Sequence, residues 1–468
     1  MYAEVRAAYR ALPENTEILL MGVYFDIAKS FECDVFVAGG GVAGIAAAVN
    51  AARGGARVIL ADNNGYLGGS ATAGMVGTFM TCMDTKGEKQ IIKGFFEEFV
   101  QELLKENGAI YHTECPGCDS HSGYRETGHI GVTPYDFETF KRVAERLCIE
   151  AGVKLIYHAT LVKSEAEDGI VRAAYLALKD GIYKVGARVF IDTTGDGALS
   201  HLSGAETMYG DEDGTIQNPT LFCNITDVDK AALDEYVAGT DNPRDRFYMD
   251  LIEQGRARGE FPCGTYKLRL FEGLNGYWNV NMAQVDENID VLDGEVITDA
   301  EISQRVQLVE IIGFLRKNIP SLKDIKMVSS AASLGIRESR RVVGNYILSV
   351  EDLVNSTDFP DKVVACSNSI DGHCKDRVVY QTRKSEKCYY IPLSSLIVKG
   401  FSNLLVAGRC LSADRFALAA VRVMPPCFAM GEAVGVASAL ALGCGADVNA
   451  VDAKEVQRIL VNNGAYLE

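Results

Sequence analysis

A short apolar run that breaks at three glycines constrains this chain more than any other feature. Asp34-Val35-Phe36-Val37-Ala38 leads into Gly39-Gly40-Gly41-Val42-Ala43-Gly44, and the small residues Ile45-Ala46-Ala47-Ala48 follow. The pattern predicts a buried strand, a tight turn and a helix start. Gly39 allows the turn. Gly41 has no Cβ, so the backbone can approach a pyrophosphate, and Gly44 lets the helix pack closely on its sheet. The open amides of the helix N-terminus, with its partial positive charge, suit phosphates. A second apolar strand, Arg57-Val58-Ile59-Leu60-Ala61, ends at Asp62. That acid stands about 20 residues past the turn, where a carboxylate takes ribose hydroxyls.

The next loop, Asn63-Asn64-Gly65-Tyr66-Leu67-Gly68-Gly69-Ser70-Ala71-Thr72, adds to this reading. Gly68 and Gly69 permit another close backbone approach, and Ser70 and Thr72 supply hydroxyl donors. Asn63 flanks the ribose position. A domain that binds only NAD does not need such a loop. A flavoprotein uses one to run its chain along the pyrophosphate.

At 468 residues the chain is long enough for two or three domains, at about 150 residues each. A net charge of -17 argues against nucleic acid and against anionic membrane surfaces. The N-terminal 29 residues lack the basic start, apolar block and small-residue cleavage site of a secretory leader. The most apolar run, 427–442, carries Glu432 and is short of the roughly 20 residues a membrane span needs, so it reads as a buried helix. Thirteen scattered cysteines fit a reducing cytoplasm. Cys33, Cys148, Cys223, Cys366 and Cys444 read as packing residues.

In chain order, 1–30 forms an extension with a strand-like run at 18–24. Helices are expected at 95–107 and 136–151, and strands at 153–157, 170–176 and 187–192. The last of these ends in Thr193-Thr194-Gly195-Asp196-Gly197. From 213 to 387 the texture changes to mixed aromatics, amides and charges. Alternation at 277–282 and a helix at 299–317 point to an inserted antiparallel domain. From 388 the α/β texture returns, with a buried strand at 403–408 and a last helix at 452–463.

Taken together, several blocks resemble the FAD-dependent oxidoreductases related to the fumarate reductase and succinate dehydrogenase flavoproteins. They are 39–72, Phe190-Ile191-Asp192-Thr193-Thr194-Gly195-Asp196-Gly197, Gly335-Ile336-Arg337-Glu338-Ser339-Arg340-Arg341, 403–414, and Val421-Arg422-Val423-Met424-Pro425-Pro426-Cys427 running into 431–435. The resemblance implies FAD as cofactor and a glutathione-reductase-like α/β fold. Its discontinuous FAD-binding domain comprises 31–212 and 388–468, and an α+β substrate or cap domain comprises 213–387. It implies that Thr194, Gly195 and Asp196 pass the FAD, and that Gly408 and Arg409 lie beside its ribityl chain and pyrophosphate. The helix entered at Met424 would aim its N-terminus at the flavin's pyrimidine end, where reduction builds up negative charge.

The chemistry points to small molecules. Arg409, Arg415 and Arg422 cluster around the expected flavin, and an arginine fork binds carboxylates through two bonds. The same arginines, with Arg337, Arg340 and Arg341, could instead neutralise the FAD pyrophosphate or pair with Glu338, Asp414 and Glu432. Related flavoproteins place a substrate-binding arginine near the position of Arg422. His373, in a polar loop, is the first candidate for proton transfer, with Tyr380, Tyr389 and Tyr390 as competing donors. His112, Cys115, Cys118 and His121 leave three alternatives open: zinc, a redox dithiol or a substrate-covering loop. No metal site is assigned from them. Cys410 is either a redox partner or buried packing.

The sequence contains no second Gly-x-Gly-x-x-Gly set between strand and helix, so no built-in NAD(P)H domain is expected. The reading is therefore hydride transfer between a small organic substrate and flavin N5, with arginine on a substrate carboxylate and an external electron donor or acceptor. The alternative is an FAD-containing electron-transfer subunit with no substrate of its own. Charge disfavours an RNA-modifying role, and homo-oligomerisation is left open.

Overall fold

The computed structural model describes residues 26–115, 131–374, 377–381 and 388–468, the side chains of 371–381 excepted. The run at 18–24, Cys118 and His121 lie outside the described residues.

The glycine-rich turn joins β1 (Ile27–Ala38) to α1 (Val42–Arg53), and β2 (Val58–Ala61) follows. Two amphipathic helices come next, α2 (Phe95–Lys105) and α3 (Phe137–Glu150). The Asp136 side chain caps α3 by accepting from the Thr139 amide. β3 (Lys154–Ile156), β4 (Thr160–Glu167), β5 (Ile170–Leu178) and β6 (Gly181–Asp192) complete the first run of strands. Among the described residues these form a seven-stranded sheet in the order β3-β2-β1-β6-β5-β4. Its seventh strand comes from far along the chain and pairs with β6.

β6 is the shared element. Its first half pairs antiparallel with β5, from Gly181↔Leu178 to Gly186↔Ala173. Its last residues, Phe190–Asp192, pair in parallel with Leu404–Val406. β1 runs parallel along its whole length. The sequence suggests only 187–192 for this strand, whose first half interrupts its apolar residues with Gly181, Lys184 and Gly186, and does not mark β4, which is mostly polar and exposed. β4 holds its place largely by ladder bonds to β5, whereas the first half of β6 also buries Tyr183 and Val185.

A second, four-stranded antiparallel sheet is built from β7 (Thr220–Thr226), β8 (Leu270–Glu272), β9 (Trp278–Gln284) and β10 (Lys326–Ser330), in the order β8-β9-β7-β10. Helix α4 (Gly294–Asn318) packs with it. It begins five residues before the expected start because Asp293, not a later acid, caps it by accepting from the Glu295 and Val296 amides. Trp278, Val280 and Met282 share an apolar core with Leu308 and Ile311 of α4. Asn279, on the opposite face of β9, donates to the Met75 carbonyl at 3.0 Å and ties this sheet to the loop after Gly68-Gly69. The chain rejoins the first sheet's core earlier than the texture change at 388 suggests. Val342 already packs with Phe36 and Phe190, and its amide donates to the Cys410 carbonyl at 2.9 Å.

The C-terminal part supplies β11 (Leu404–Val406), α5 (Arg415–Val421), α6 (Met424–Gly443) and α7 (Ala453–Asn462). α6 is long and apolar enough to cross a membrane by composition, but 72% of its apolar window is buried inside the fold. It lies against α1, small residue on small residue. A Cβ on Gly435 would stand 2.5 Å from the Ala47 carbonyl oxygen. Cys33, Cys148, Cys223 and Cys366 are buried as expected, whereas Cys444, just past the end of α6, is exposed.

Candidate functional site

The strands β1, β2, β6 and β11 end together. Ala38 is paired with both Ala61 and Asp192, and Asp192 with Val406. Four loops therefore leave the same edge of one parallel sheet: 39–41, 62–70, 193–197 and 407–409. A crevice outside the carboxyl ends of parallel strands is where such sheets bind ligands.

The three glycines of the turn have three different environments. Gly39 has a positive φ of 99°, and a Cβ there would stand 2.5 Å from the Thr193 carbonyl oxygen. On Gly44 it would stand 1.9 Å from the Gly39 carbonyl oxygen. On Gly41 it would meet nothing within 4 Å. Gly41 is thus the one of the three that no protein neighbour requires. The second loop returns to it: the Gly68 amide donates to the Gly40 carbonyl at 2.8 Å, and a Cβ on Gly69 would lie 3.2 Å from the Gly41 Cα. Two glycine backbones and the open first turn of α1 form a cradle suited to a pyrophosphate.

Asp62 is buried. It accepts from the Gly40 amide at 2.6 Å and from the Asn64 amide at 2.7 Å. Burial pushes its carboxyl above the usual range, against those bonds. A carboxylate has about four lone-pair sites, so acceptor capacity remains for a ribose hydroxyl. Asn63 and Ser70 are exposed. Thr72 turns inward and donates to the Leu67 carbonyl at 2.8 Å, so its hydroxyl shapes the loop rather than facing the crevice.

The third loop is organised by Asp192, which the sequence reading leaves as an ordinary strand residue. It is fully buried, and its carboxylate accepts from the Thr194 amide and hydroxyl at 3.1 and 2.8 Å and from the Ser200 amide at 2.8 Å. Its signal was an acid at the end of an apolar strand just before Thr-Thr-Gly. Beyond it, Arg409 donates to Asp196 at 2.8 Å and to the Ser339 hydroxyl at 2.6 Å, and Ser339 donates to Asp196 at 2.6 Å. Burial would raise the Asp196 carboxyl, but Arg409 and Ser339 outweigh it and hold it below the usual range. Gly195 is left-handed, and a Cβ there would stand 2.8 Å from the Arg409 guanidinium. Gly408, also left-handed, brings its loop to Ala43 at the start of α1.

A second polar cluster adjoins the junction of α5 and α6. Glu338 is fully buried and accepts from Arg341 at 3.2 Å, Arg415 at 3.1 Å and the Gln217 amide at 3.1 Å. Arg415 also pairs with Asp211 at 2.5 Å. Its Nε and Nη1 are therefore engaged by two carboxylates, while its buried Nη2 has no hydrogen-bond partner. Arg422 ends α5 and donates to the Gln217 side-chain oxygen at 3.3 Å.

The family model for FAD dependent oxidoreductases matches residues 34–460. The chain belongs to this family. A segment of 77 residues is 40% identical to thiamine thiazole synthase of Aeropyrum pernix, covering 16% of this chain and 28% of that protein. Among solved structures, the oxidoreductase is similar to a geranylgeranyl bacteriochlorophyll reductase-like protein from Thermoplasma acidophilum. That match has a TM-score of 0.46 and 13% identity, covering 92% of this chain and 84% of the other. It is also similar to L-proline dehydrogenase from P. horikoshii, with a TM-score of 0.42 and 12% identity, covering 94% of this chain and all of the other.

FAD fits the crevice of this oxidoreductase by the chemistry of its donors and by the space left open at Gly41. Met424 opens α6, with Val423 as its cap residue. Pro425 and Pro426 have no N–H, so the first turn offers the Met424 amide ahead of Cys427, whose own amide bonds the Val423 carbonyl at 3.3 Å. Tyr135 fixes this end: it donates to the Ala71 carbonyl at 3.1 Å and contacts the Met424 sulfur at 3.8 Å.

His373 does not lie in a loop. Its backbone belongs to the strand Ile370–Cys374, paired with Val378 of the strand Arg377–Gln381. Of the competing donors, Tyr389 is buried on the Asn368 carbonyl at 3.1 Å and Tyr390 bonds the Glu468 carbonyl at 2.6 Å. Cys410 is fully buried, and burial pushes its thiol well up, which favours packing over a redox role. His112 is buried beside the Tyr111 ring, and burial lowers its pKa against the opposing pull of Glu97. Among the described residues no group of three or more His, Cys, Asp or Glu is arranged to hold a metal ion.

Proposed function

We propose that this FAD-dependent oxidoreductase transfers a hydride between a small carboxylate-bearing substrate and flavin N5, and exchanges electrons with an external partner. In this reading the fold is glutathione-reductase-like, and the second sheet with α4 covers the flavin as a cap, as in the flavoproteins related to fumarate reductase. When bound, FAD supplies the two-electron donor or acceptor. Gly41, Gly68 and Gly69 let the backbone approach its pyrophosphate, and Asp62 and Asn63 hold the ribose. Thr194, Gly195, Asp196, Gly408 and Arg409 line the middle of the cofactor. The α6 N-terminus at Met424 offers its positive end to the pyrimidine edge.

One observation carries the substrate class. Arg422 stands at the α5–α6 junction on the neutral Gln217 amide, beside a Glu338 carboxylate already shared by Arg341 and Arg415. A guanidinium at the start of the helix that opens toward the flavin end of the crevice suits a substrate carboxylate, which Arg422 would bind through a two-bond fork. Arg415 supports the site through Glu338, and His373 is the residue assigned to moving the proton.

The test is anaerobic. FAD-loaded protein is mixed with a panel of 2-hydroxy and 2-amino acids, and the photoreduced protein with 2-enoates, while flavin absorbance is followed. Bleaching or re-oxidation by one carboxylate class, weakened in Arg422→Gln with unchanged flavin content, supports the proposal. Silence toward every small molecule, together with electron exchange with a partner protein, would replace it with the electron-transfer reading.

A further inference from the structure

The end of α1 farthest from the glycine turn borders a second cavity, of about 400 Å³. Gly41 and Arg53 are separated by twelve residues of helix, about 18 Å at 1.5 Å per residue, so this cavity is distinct from the dinucleotide crevice. Glu432, on α6, lines it. Its side chain is 2% exposed. One carboxylate oxygen, Oε2, accepts from the Phe95 amide at 2.9 Å and thereby caps α2. The other, Oε1, is buried and has no partner at hydrogen-bonding distance; the Asn463 side chain, also in the cavity wall, faces the carboxyl and favours its charged form. A buried acceptor left unmatched is costly, and an ionised one more so.

The rest of the lining says what would match it. Arg53 is committed to Glu98 by two bonds, at 2.7 and 2.6 Å, so it is not available to Glu432 as a full partner. With Glu98 and Glu432 against Arg53, the wall carries one more acid than base. Val436, Leu440 and Ile459 add an apolar side. A bare metal ion lacks ligands there, since no metal-binding group exists among the described residues. We propose that this cavity binds a small organic ammonium ion, its N–H on Glu432 Oε1 and its hydrocarbon body against Val436, Leu440 and Ile459.

The probes are n-butylammonium and benzylammonium chloride, titrated calorimetrically into FAD-loaded protein at pH 8, with sodium chloride as the salt control. Saturable binding of one equivalent is expected. Glu432→Gln keeps an acceptor for the Phe95 amide and should weaken binding about tenfold or more, the scale of a charged hydrogen bond. Leu440→Trp, which fills the cavity and leaves Glu432 in place, should abolish it. Flavin content and visible spectrum should be unchanged in both variants. Absence of saturable binding, equal affinity in Glu432→Gln, or soaked crystals showing only water at Oε1 would each overturn the proposal.

Discussion

Gly431 of α6 lies so close to Ala43 of α1 that a Cβ on the glycine would stand 2.1 Å from the alanine carbonyl oxygen. One turn on, Gly435 meets Ala47 in the same way. The contact joins the helix that opens at the dinucleotide turn to the helix that opens at Met424. Their N-termini are thus held at a fixed spacing, and the two ends of the crevice are set by one small-residue seam.

Methyl groups in that seam should separate the helices. Gly431→Ala and Gly435→Ala should each destabilise the fold by about 1–3 kcal/mol, the usual cost of overpacking. Gly443→Ala, at a position with nothing within 4 Å, should cost nothing and gain a little helix propensity. Urea denaturation of the three variants checks this.

The turn itself separates folding from cofactor binding. Gly41→Ala adds a methyl that meets no protein atom within 4 Å, at an extended backbone conformation that alanine adopts freely. Its thermal midpoint without cofactor should match the parent, and its FAD affinity should fall steeply. Gly44→Ala should lose stability with or without FAD, because the methyl would overlap the Gly39 carbonyl. Melting curves of apoprotein and flavin titrations distinguish the two.

The two arginines should part company. Arg415→Gln removes a partner of buried Glu338, and breaking a buried pair costs about 3–5 kcal/mol. Its defect should appear in denaturation curves. Arg422→Gln should keep its stability and flavin and raise KM for a carboxylate substrate by about ten- to a hundred-fold, equivalent to about 1.5–3 kcal/mol for hydrogen bonds to a charge. Steady-state kinetics on the substrate found by the bleaching screen measures it.

Glu432 gives a pH signature. Burial pushes its carboxyl from 4.5 up to about 7. Between those values the unfolded chain has released this proton while the folded chain retains it. The contribution is therefore fully present below 4.5 and is lost as pH rises through 7. Relative to Glu432→Gln, the parent should lose about 3 kcal/mol between pH 4 and pH 8, at 1.36 kcal/mol per pH unit. Urea titrations across that range test the sign, and a parent that gains stability instead would refute it.

The features legible in the sequence are those whose physics is local. Gly39, Gly41 and Gly44 announce themselves because a backbone turn demands residues without a Cβ at fixed spacing. Asp136 and Asp452 mark their helix starts by capping. Asp293 was harder to see because a glycine follows it and another acid, Asp299, stands six residues on. Pairings set by topology were not legible. Arg409 and Asp196 are 213 residues apart, and Arg415 and Asp211 are 204 apart. Composition shows that these arginines have acids available but not which ones, so Arg415 read as a candidate for substrate. His373 read as a loop residue because Asp371-Gly372 looks like a turn, whereas the ladder to 377–381 extends it. Cys444 sits in an apolar stretch that ends one residue too early to bury it.

Because β6 takes Leu404–Val406 as its last parallel neighbour, the order of synthesis matters. The glycine turn is made first, and Gly408, Arg409 and the helix that wedges against Ala43 follow more than three hundred residues later. A nascent chain therefore carries half a seat for its nucleotide across that whole interval, with the apolar face of α1 waiting for α6. Cofactor capture is consequently a late event, and a chain released before Leu404 should go to chaperones or proteases rather than retain flavin.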